Sequence, residues 1–172
     1  MLMTICTCLM DTPLGKVVIK ATTDHIVSVL FLDTKNHPAP AGLLLDADGY
    51  TTGLMDNCKT QLQEYFDGKR FTFDLPLQQT GSPFQQKVWD ALLTIPYGKT
   101  TTYLELSKRI GNVKAIRAVG TTNGKNQLSI LVPCHRVIGS NGDLVGYSGD
   151  LSRKKWLLGH EGRYANGIQS LF

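Results

Sequence analysis

Residues Pro133-Cys134-His135-Arg136-Val137 set a thiol beside an imidazole and a guanidinium. A thiol at its ordinary pKa of about 8.5 is a weak nucleophile, and a coupled base or a nearby cation makes it reactive. Adjacent side chains do not face each other on a helix, so Cys134 and His135 are expected to couple through a bridging water. A histidine acting as base needs an acid on its other ring nitrogen, and Glu161 in Leu158-Gly159-His160-Glu161-Gly162 is the candidate. Taken alone, Cys134 reads more simply as a buried inert thiol and Glu161 as a surface acid at a helix end.

The elements that must position these groups are legible in part. Residues 12–32 alternate and are rich in Val, Ile and Thr, with a break at Thr23-Asp24-His25, which predicts a hairpin. Residues 36–48 read as a loop. Leu54, Cys58, Leu62, Tyr65 and Phe66 recur at helical spacing before Gly68, predicting an amphipathic helix over 54–67. Alternation over 70–77 predicts a further short strand, followed by a linker at 78–81. Ser82 with Gln85 forms a capping-box pattern with Pro83 at the first helical position, so a helix is expected over about 83–94. Ile95-Pro96-Tyr97-Gly98 breaks the chain, and Thr102 with Glu105 gives a second capping box that opens a helix through Ile110. After Gly111 a third helical pattern begins near Val113, the spacing of a helix-turn-helix. Its small residues Ala115, Ala118 and Gly120 alternate with Lys114 and Arg117, a composition suited to close approach to a nucleic-acid groove or to packing on another helix. Ser129–Val132 reads as a buried segment leading into the cysteine.

Composition narrows the class. The chain has 172 residues, 42% hydrophobic and 19% charged, which is ordinary for a folded domain and excludes a disordered chain or a small stapled scaffold. No window has the length and apolarity of a membrane span, and no basic residue precedes the short apolar run at the start, as a secretory signal requires. A cytoplasmic protein, or a nuclear one in a eukaryote, is expected, with no membrane partner. Residues 1–79 hold 6 Lys+Arg against 9 Asp+Glu, whereas residues 80–172 hold 12 against 5. The basic half, with Lys87, Lys99, Lys108, Arg109, Lys125, Arg136, Lys154 and Lys155, is the candidate polyanion surface. Cys6, Cys8, Cys58 and Cys134 contain no C-x-x-C pair and read as reduced thiols.

The segment Pro133–Val137 resembles the active-site signature of the O6-alkylguanine-DNA alkyltransferases. Thr12-Pro13-Leu14-Gly15, Tyr65-Phe66-x-Gly68, Phe84-Gln85-x-x-Val88-Trp89, Ile95-Pro96-Tyr97-Gly98, Arg117-Ala118-Val119-Gly120, Gly146-Tyr147-Ser148-Gly149 and Leu157-Leu158-x-x-Glu161 match in the same order, more loosely in the N-terminal half. The resemblance implies a single-turnover repair reaction in which an alkylated guanine is flipped out of duplex DNA and its O6 alkyl group moves to Cys134. It implies His135 as base through water, Glu161 as its orienting acid, Asn126 as brace of the turn near the cysteine, and Tyr103 as donor toward the departing guanine. It further implies Arg117 as the residue entering the base stack, with Lys114, Ala118 and Arg136 on the DNA side, and Val137, Tyr147, Ser148 and Gly149 forming the guanine pocket. O4-alkylthymine is a further candidate substrate.

Gln127 stands where members of the family commonly carry proline, which adds one N–H to satisfy and is expected to tune stability. Some members hold a structural zinc in their N-terminal part. Cys6, Cys8, Cys58, His25 and His37 match no zinc spacing, so no metal and no cofactor are expected. The expected architecture is an α/β supporting domain over 1–79, with a small antiparallel sheet and one helix, followed by a mostly α-helical domain over 80–172 with the helix-turn-helix and Cys134. The expected partner is double-stranded DNA containing O6-alkylguanine, and a monomer is expected in its absence. A non-catalytic damage sensor would lack Cys134. A transcription factor leaves His135, Glu161 and the Gly-Tyr-Ser-Gly segment without a role, and a cysteine hydrolase would turn over many times.

Overall fold

The computed structural model describes residues 4–34 and 52–170, with side chains to residue 165. The loop expected over 36–48 lies outside the described residues. The chain divides into two units, residues 1–79 and 80–172.

In the first unit, β1 (Cys6–Thr12), β2 (Gly15–Ala21) and β3 (Ile26–Phe31) form an antiparallel sheet in that order. The sequence pattern predicted one hairpin over 12–32, and the structure extends it with β1. The first turn closes because the Leu14 amide donates to Thr12 Oγ1 at 3.1 Å, while the Thr12 hydroxyl donates to the Gly15 carbonyl at 2.6 Å. Thr22 plays the same part at the second turn, accepting from the His25 amide at 3.1 Å. Helix α1 (Gly53–Phe66) is capped by Thr52, whose hydroxyl oxygen accepts from the Met55 amide, and buries Met55, Cys58, Leu62, Tyr65 and Phe66 against the sheet.

The strand expected over 70–77 does not form. Only Leu77 bridges Ile26, with the Ile26 amide donating to Pro76 O at 2.8 Å and the Gln78 amide to Ile26 O at 3.0 Å. Pro76 has no N–H for a ladder, and the Gln61 side chain satisfies Asp74 on both backbone sides. The alternation there reflects a chain tied by side chains.

The second unit opens with α2 (Pro83–Leu92), where Ser82 and Gln85 exchange both hydrogen bonds of the capping box. Val88, Trp89 and Leu92 are buried, and the Trp89 indole N–H donates to Thr122 O at 3.1 Å. The two-residue strands β4 (Thr101–Thr102) and β5 (Val137–Ile138) pair in parallel, bringing the start of α3 (Tyr103–Arg109) beside the segment after Cys134. Only half of the second capping box forms: Thr102 Oγ1 accepts from the Glu105 amide, but the Glu105 carboxylate pairs with Lys108 at 2.9 Å. Gly111, at φ 79°, turns the chain. Helix α4 (Ile116–Gly124) starts three residues later than expected and runs further, so Lys114 lies in the turn and Ala115 at the cap. Helix α5 (Leu151–Ser170) closes the unit. Among the described residues no helix is long and apolar enough to cross a membrane.

Candidate functional site

Cys134 sits in a 3-10 turn, Cys134–Arg136, at the end of the buried segment 129–133, and is itself 1% exposed. The turn is held by the Cys134 amide on Val132 O at 2.8 Å and by Asn126. The Asn126 side-chain amide donates to Val132 O at 2.8 Å and to Cys134 Sγ at 3.2 Å, and its carbonyl accepts from the Leu128 amide at 3.1 Å. One side chain thus shapes the loop and points a donor at the sulfur. Burial pushes the Cys134 thiol up; the Asn126 hydrogen bond and the Lys154 charge pull it down without overcoming burial. The resting group is a thiol, and ionising it requires a base.

The candidate base expected from the sequence, His135, is adjacent in the chain and held by Glu161. His135 Nε2 lies 2.7 Å from Glu161 Oε1, and both side chains are fully buried. Arg136 donates to the same carboxylate from Nε at 2.8 Å and from Nη2 at 3.0 Å, and from Nη1 to Ile95 O at 2.6 Å. The Gly98 amide adds a fourth bond to Glu161 at 3.2 Å. Gly98 has φ 74°, and a Cβ there would run into Ala165 Cβ, so the amide reaches the carboxylate only from a residue without a side chain. Burial alone would raise the Glu161 carboxyl, but the hydrogen bonds and charges of His135 and Arg136 hold it well below the usual carboxylate range. Glu161 is therefore an anion, which fixes the His135 proton on Nε2. His135 is pushed down by burial against the pull of Glu161, so the ring is neutral and its Nδ1, without a hydrogen-bond partner, carries a free lone pair.

These shifts set a pH dependence of stability. His135 takes up a proton more readily unfolded, with an ordinary pKa of 6.5, than folded, so stability is full above that value and falls as the pH drops below it. Glu161 is held ionised in the fold, so its contribution is lost in turn below about 4.5. Denaturant unfolding across pH should show a decline starting near 6.5, of about 1.4 kcal/mol per pH unit per proton. The limb between 6.5 and 4.5 should flatten in His135→Gln; an unchanged limb would count against the assignment.

The other residues singled out in the sequence fall into three places. Tyr103, at the start of α3, directs its hydroxyl to Val145 O at 2.9 Å, and Tyr147, Ser148 and Gly149 form a buried strap nearby. Gly146 has φ 64°, and a Cβ on it would come within 3.0 Å of the Tyr103 hydroxyl. Burial, then the proximity of Cys134, raises Tyr103 to about 12, with the Asn123 carboxamide pulling the other way; burial raises Tyr147 well above its ordinary value. Both phenols stay protonated. Arg117 and Ala118 lie exposed on α4, and Lys114 is exposed in the turn before it.

Arg136 departs from the DNA-facing position expected for it. It is 6% exposed, and all three of its bonds are internal, because Glu161 and the Ile95 carbonyl need its donors. Lys154, counted with the basic surface, is likewise fully buried. Its ammonium donates to Val137 O at 2.5 Å and Val145 O at 2.7 Å and lies 6.0 Å from the Tyr103 ring centre. Burial lowers it to about 8, against the pull of Cys134. The available signal was spacing: Lys154, Leu157 and Glu161 recur at intervals of three and four, one face of α5. Sequence reasoning also passed over Asn123, 1% exposed in α4, whose Nδ2 donates to Cys134 O at 3.3 Å.

Among the described residues no group of three or more His, Cys, Asp or Glu could hold a metal ion. Cys8 and Cys58 are buried, and burial pushes Cys58 up to about 12.

Fold and site together define a two-unit protein whose helical unit holds a buried cysteine, the adjacent histidine paired with a buried glutamate, and a helix-turn-helix. Residues 83–163 match the DNA binding domain of 6-O-methylguanine DNA methyltransferase, and residues 5–79 match the ribonuclease-like domain of the same proteins. The chain is 45% identical over 148 residues to the constitutive methylated-DNA–protein-cysteine methyltransferase of Bacillus subtilis (strain 168), covering 86% of this chain and 89% of that one. The crystal structure of the O6-methylguanine methyltransferase of Mycobacterium tuberculosis superposes with a TM-score of 0.82 at 37% identity, over 98% of this chain and 99% of that one. A structure of the M. tuberculosis protein in complex with DNA gives 0.78 at 38% identity, over 93% of both chains. The chain belongs to the 6-O-methylguanine DNA methyltransferase family.

Proposed function

We propose that this chain reverses alkylation damage in double-stranded DNA by taking the alkyl group of O6-alkylguanine onto Cys134, once per molecule. The observation that carries the reading is the free Nδ1 lone pair of a neutral His135, held by Glu161 next to a buried thiol that needs a base. His135 removes the thiol proton through a water. Sγ attacks the alkyl carbon, the carbon–O6 bond breaks with its electrons returning to the base, and a proton restores neutral guanine. The net exchange is one thiol proton for one alkyl group. The product is a thioether, a bond that an imidazole and a carboxylate do not hydrolyse, so turnover stops.

A buried sulfur reaches a base only if the base leaves the duplex. Arg117, exposed on α4, is the side chain to enter the stack in its place, with Ala118 allowing close approach and Lys114 meeting a phosphate. Tyr103 donates toward the leaving base, while Val137, Tyr147, Ser148 and Gly149 enclose it. Residues 1–79 support the DNA-binding unit, and the protein acts as a monomer before binding, in the cytoplasm or, in a eukaryote, the nucleus.

The test is intact and peptide mass after mixing with a duplex containing O6-methylguanine. One methyl group on the Cys134 peptide, saturating at one per protein, is expected; tight lesion binding without a mass gain would overturn the reading in favour of a damage sensor. Arg117→Ala gives a separate expectation. Because the side chain is exposed and no bond from its guanidinium is recorded, stability should change by less than about 0.5 kcal/mol. Methyl transfer from duplex should slow by about 10-fold or more, while transfer from the free alkylated base stays near wild type. Equal losses on both substrates would remove Arg117 from extrusion.

A further inference from the structure

The loop between α2 and β4 meets the buried Glu161–Arg136 pair through Ile95, Tyr97 and Gly98. Ile95 O accepts from Arg136 Nη1 at 2.6 Å, and the Gly98 amide donates to Glu161 Oε2 at 3.2 Å. Between them, the Tyr97 ring presents its face to the Arg136 guanidinium, 5.7 Å from ring centre to Cζ, a cation–π contact. The sequence dictates this placement. Pro96–Lys99 closes as a turn, with the Lys99 amide donating to Pro96 O at 3.1 Å, and Gly98 at φ 74° takes the third position, where a positive φ is required. Tyr97 is therefore set between a proline and a glycine that the turn demands.

The hydrogen bonds of Arg136 leave from its edge, Nε and Nη2 to the two Glu161 oxygens and Nη1 to Ile95 O. Bonds of that kind fix a planar group within its plane, whereas the Tyr97 ring bears on its face. Glu161 Oε1 is shared between His135 Nε2 at 2.7 Å and Arg136 Nη2 at 3.0 Å. The two donors compete for one oxygen, so the hold of Arg136 on it sets how strongly Glu161 favours a second proton on His135. The charge of Arg136 also opposes that proton directly. Resting on the proposed function, we infer that Tyr97 is a positioning residue for the base: its ring keeps the Arg136 guanidinium flat on Glu161, and through that pair keeps His135 neutral. Burial, then Glu161, raises the Tyr97 phenol to about 12, so the ring stays uncharged beside the cation. Besides the pair itself, Lys154 and Tyr164 of α5 are the titratable groups that bear on His135 and on Tyr97.

The experiment follows the His135 imidazole by NMR titration, and single-turnover methyl transfer from a duplex containing O6-methylguanine, between about pH 5 and about pH 8. It compares wild type, Tyr97→Phe, Tyr97→Leu and a protein with a ring-fluorinated phenylalanine at position 97. Phenylalanine keeps the aromatic face and should titrate as wild type. Leucine removes the face, and fluorination strips its negative charge density at almost unchanged volume. In both, the His135 midpoint and the acid limb of transfer should rise by about one pH unit, a gain of about 10-fold in proton affinity. The fluorinated ring decides the matter where leucine folds poorly. A general loss of packing lowers the transfer plateau and leaves the midpoint in place. Wild-type midpoints in the leucine and fluorinated variants, or a phenylalanine midpoint that moves as far as that of leucine, would overturn the inference while leaving the repair reading intact. Absence of transfer in wild type would overturn the repair reading, and the imidazole titration would still decide whether Tyr97 sets the state of His135.

Discussion

Glu161→Gln should cost about 3–5 kcal/mol of stability, the loss expected when one partner of a buried ion pair is removed. The carboxylate accepts four hydrogen bonds, from His135, twice from Arg136 and from the Gly98 amide. A glutamine side chain offers one acceptor oxygen and a nitrogen with two donors, so at least one existing donor would face another donor. Arg136 stays charged at any accessible pH and would be left buried without its anion. Such a loss is a large part of a typical total stability of 5–15 kcal/mol. The chemical consequence is separate: without an anion on Nε2, the proton is no longer held there, and Nδ1 ceases to be a reliable base. By analogy with other acid-oriented histidines, methyl transfer should slow by about 100-fold or more in the fraction that folds. Denaturant unfolding and single-turnover transfer check the two halves independently. A stability loss below about 1 kcal/mol would mean that the array is not the anchor of the turn; unchanged transfer would remove Glu161 from the relay.

The contrast between the two capping boxes explains which parts of the fold were readable. Ser82 and Gln85 settle their bonds between themselves, three residues apart and with no competitor, so the local pattern sufficed. Glu105 had the same spacing to Thr102, yet Lys108 one turn on offered a charge and took the carboxylate. Alternation over 70–77 was equally genuine and equally local, but Pro76 and the distant Gln61 decided its backbone bonding. At the site, the pairing of His135 with the distant Glu161 was legible because an orienting acid at the second ring nitrogen was sought, and the structure joins the two. Arg136 and Lys154 were misplaced for one shared reason. Charge in a basic half argues for exposure on average, whereas burial depends on specific acceptors, Glu161 and the carbonyls of Ile95, Val137 and Val145, that no single-sequence pattern announces.

Lys154→Met should lower activity with little change in stability, whereas Glu161→Gln lowers both. The ammonium is fully buried without a carboxylate among its recorded bonds, and burial brings it down to about 8. An unpaired cation in the interior is costly, so a methionine of similar length recovers part of what the two lost carbonyl bonds contributed, and stability should shift by only about 1 kcal/mol. The linkage sign supports this: the unfolded lysine, at its ordinary 10.5, holds its proton longer than the folded one, so wild-type stability should rise with pH between about 8 and 10.5, and the methionine variant should lack that rise. Reactivity depends on what the ammonium ties together. It bonds β5 through Val137 O and the segment leading into the strap through Val145 O, the same carbonyl that receives the Tyr103 hydroxyl, and its charge favours the Cys134 thiolate. Losing it frees the segment leading into Tyr147 and Ser148 and removes a cation whose charge favours the thiolate. Transfer should fall by about 10- to 100-fold, the scale of one or two charge-assisted hydrogen bonds. Thermal melts across pH and single-turnover transfer on the same preparations decide it. Parallel losses in both would make Lys154 a structural residue, and transfer at the wild-type rate would show that the strap and the thiolate are held without it.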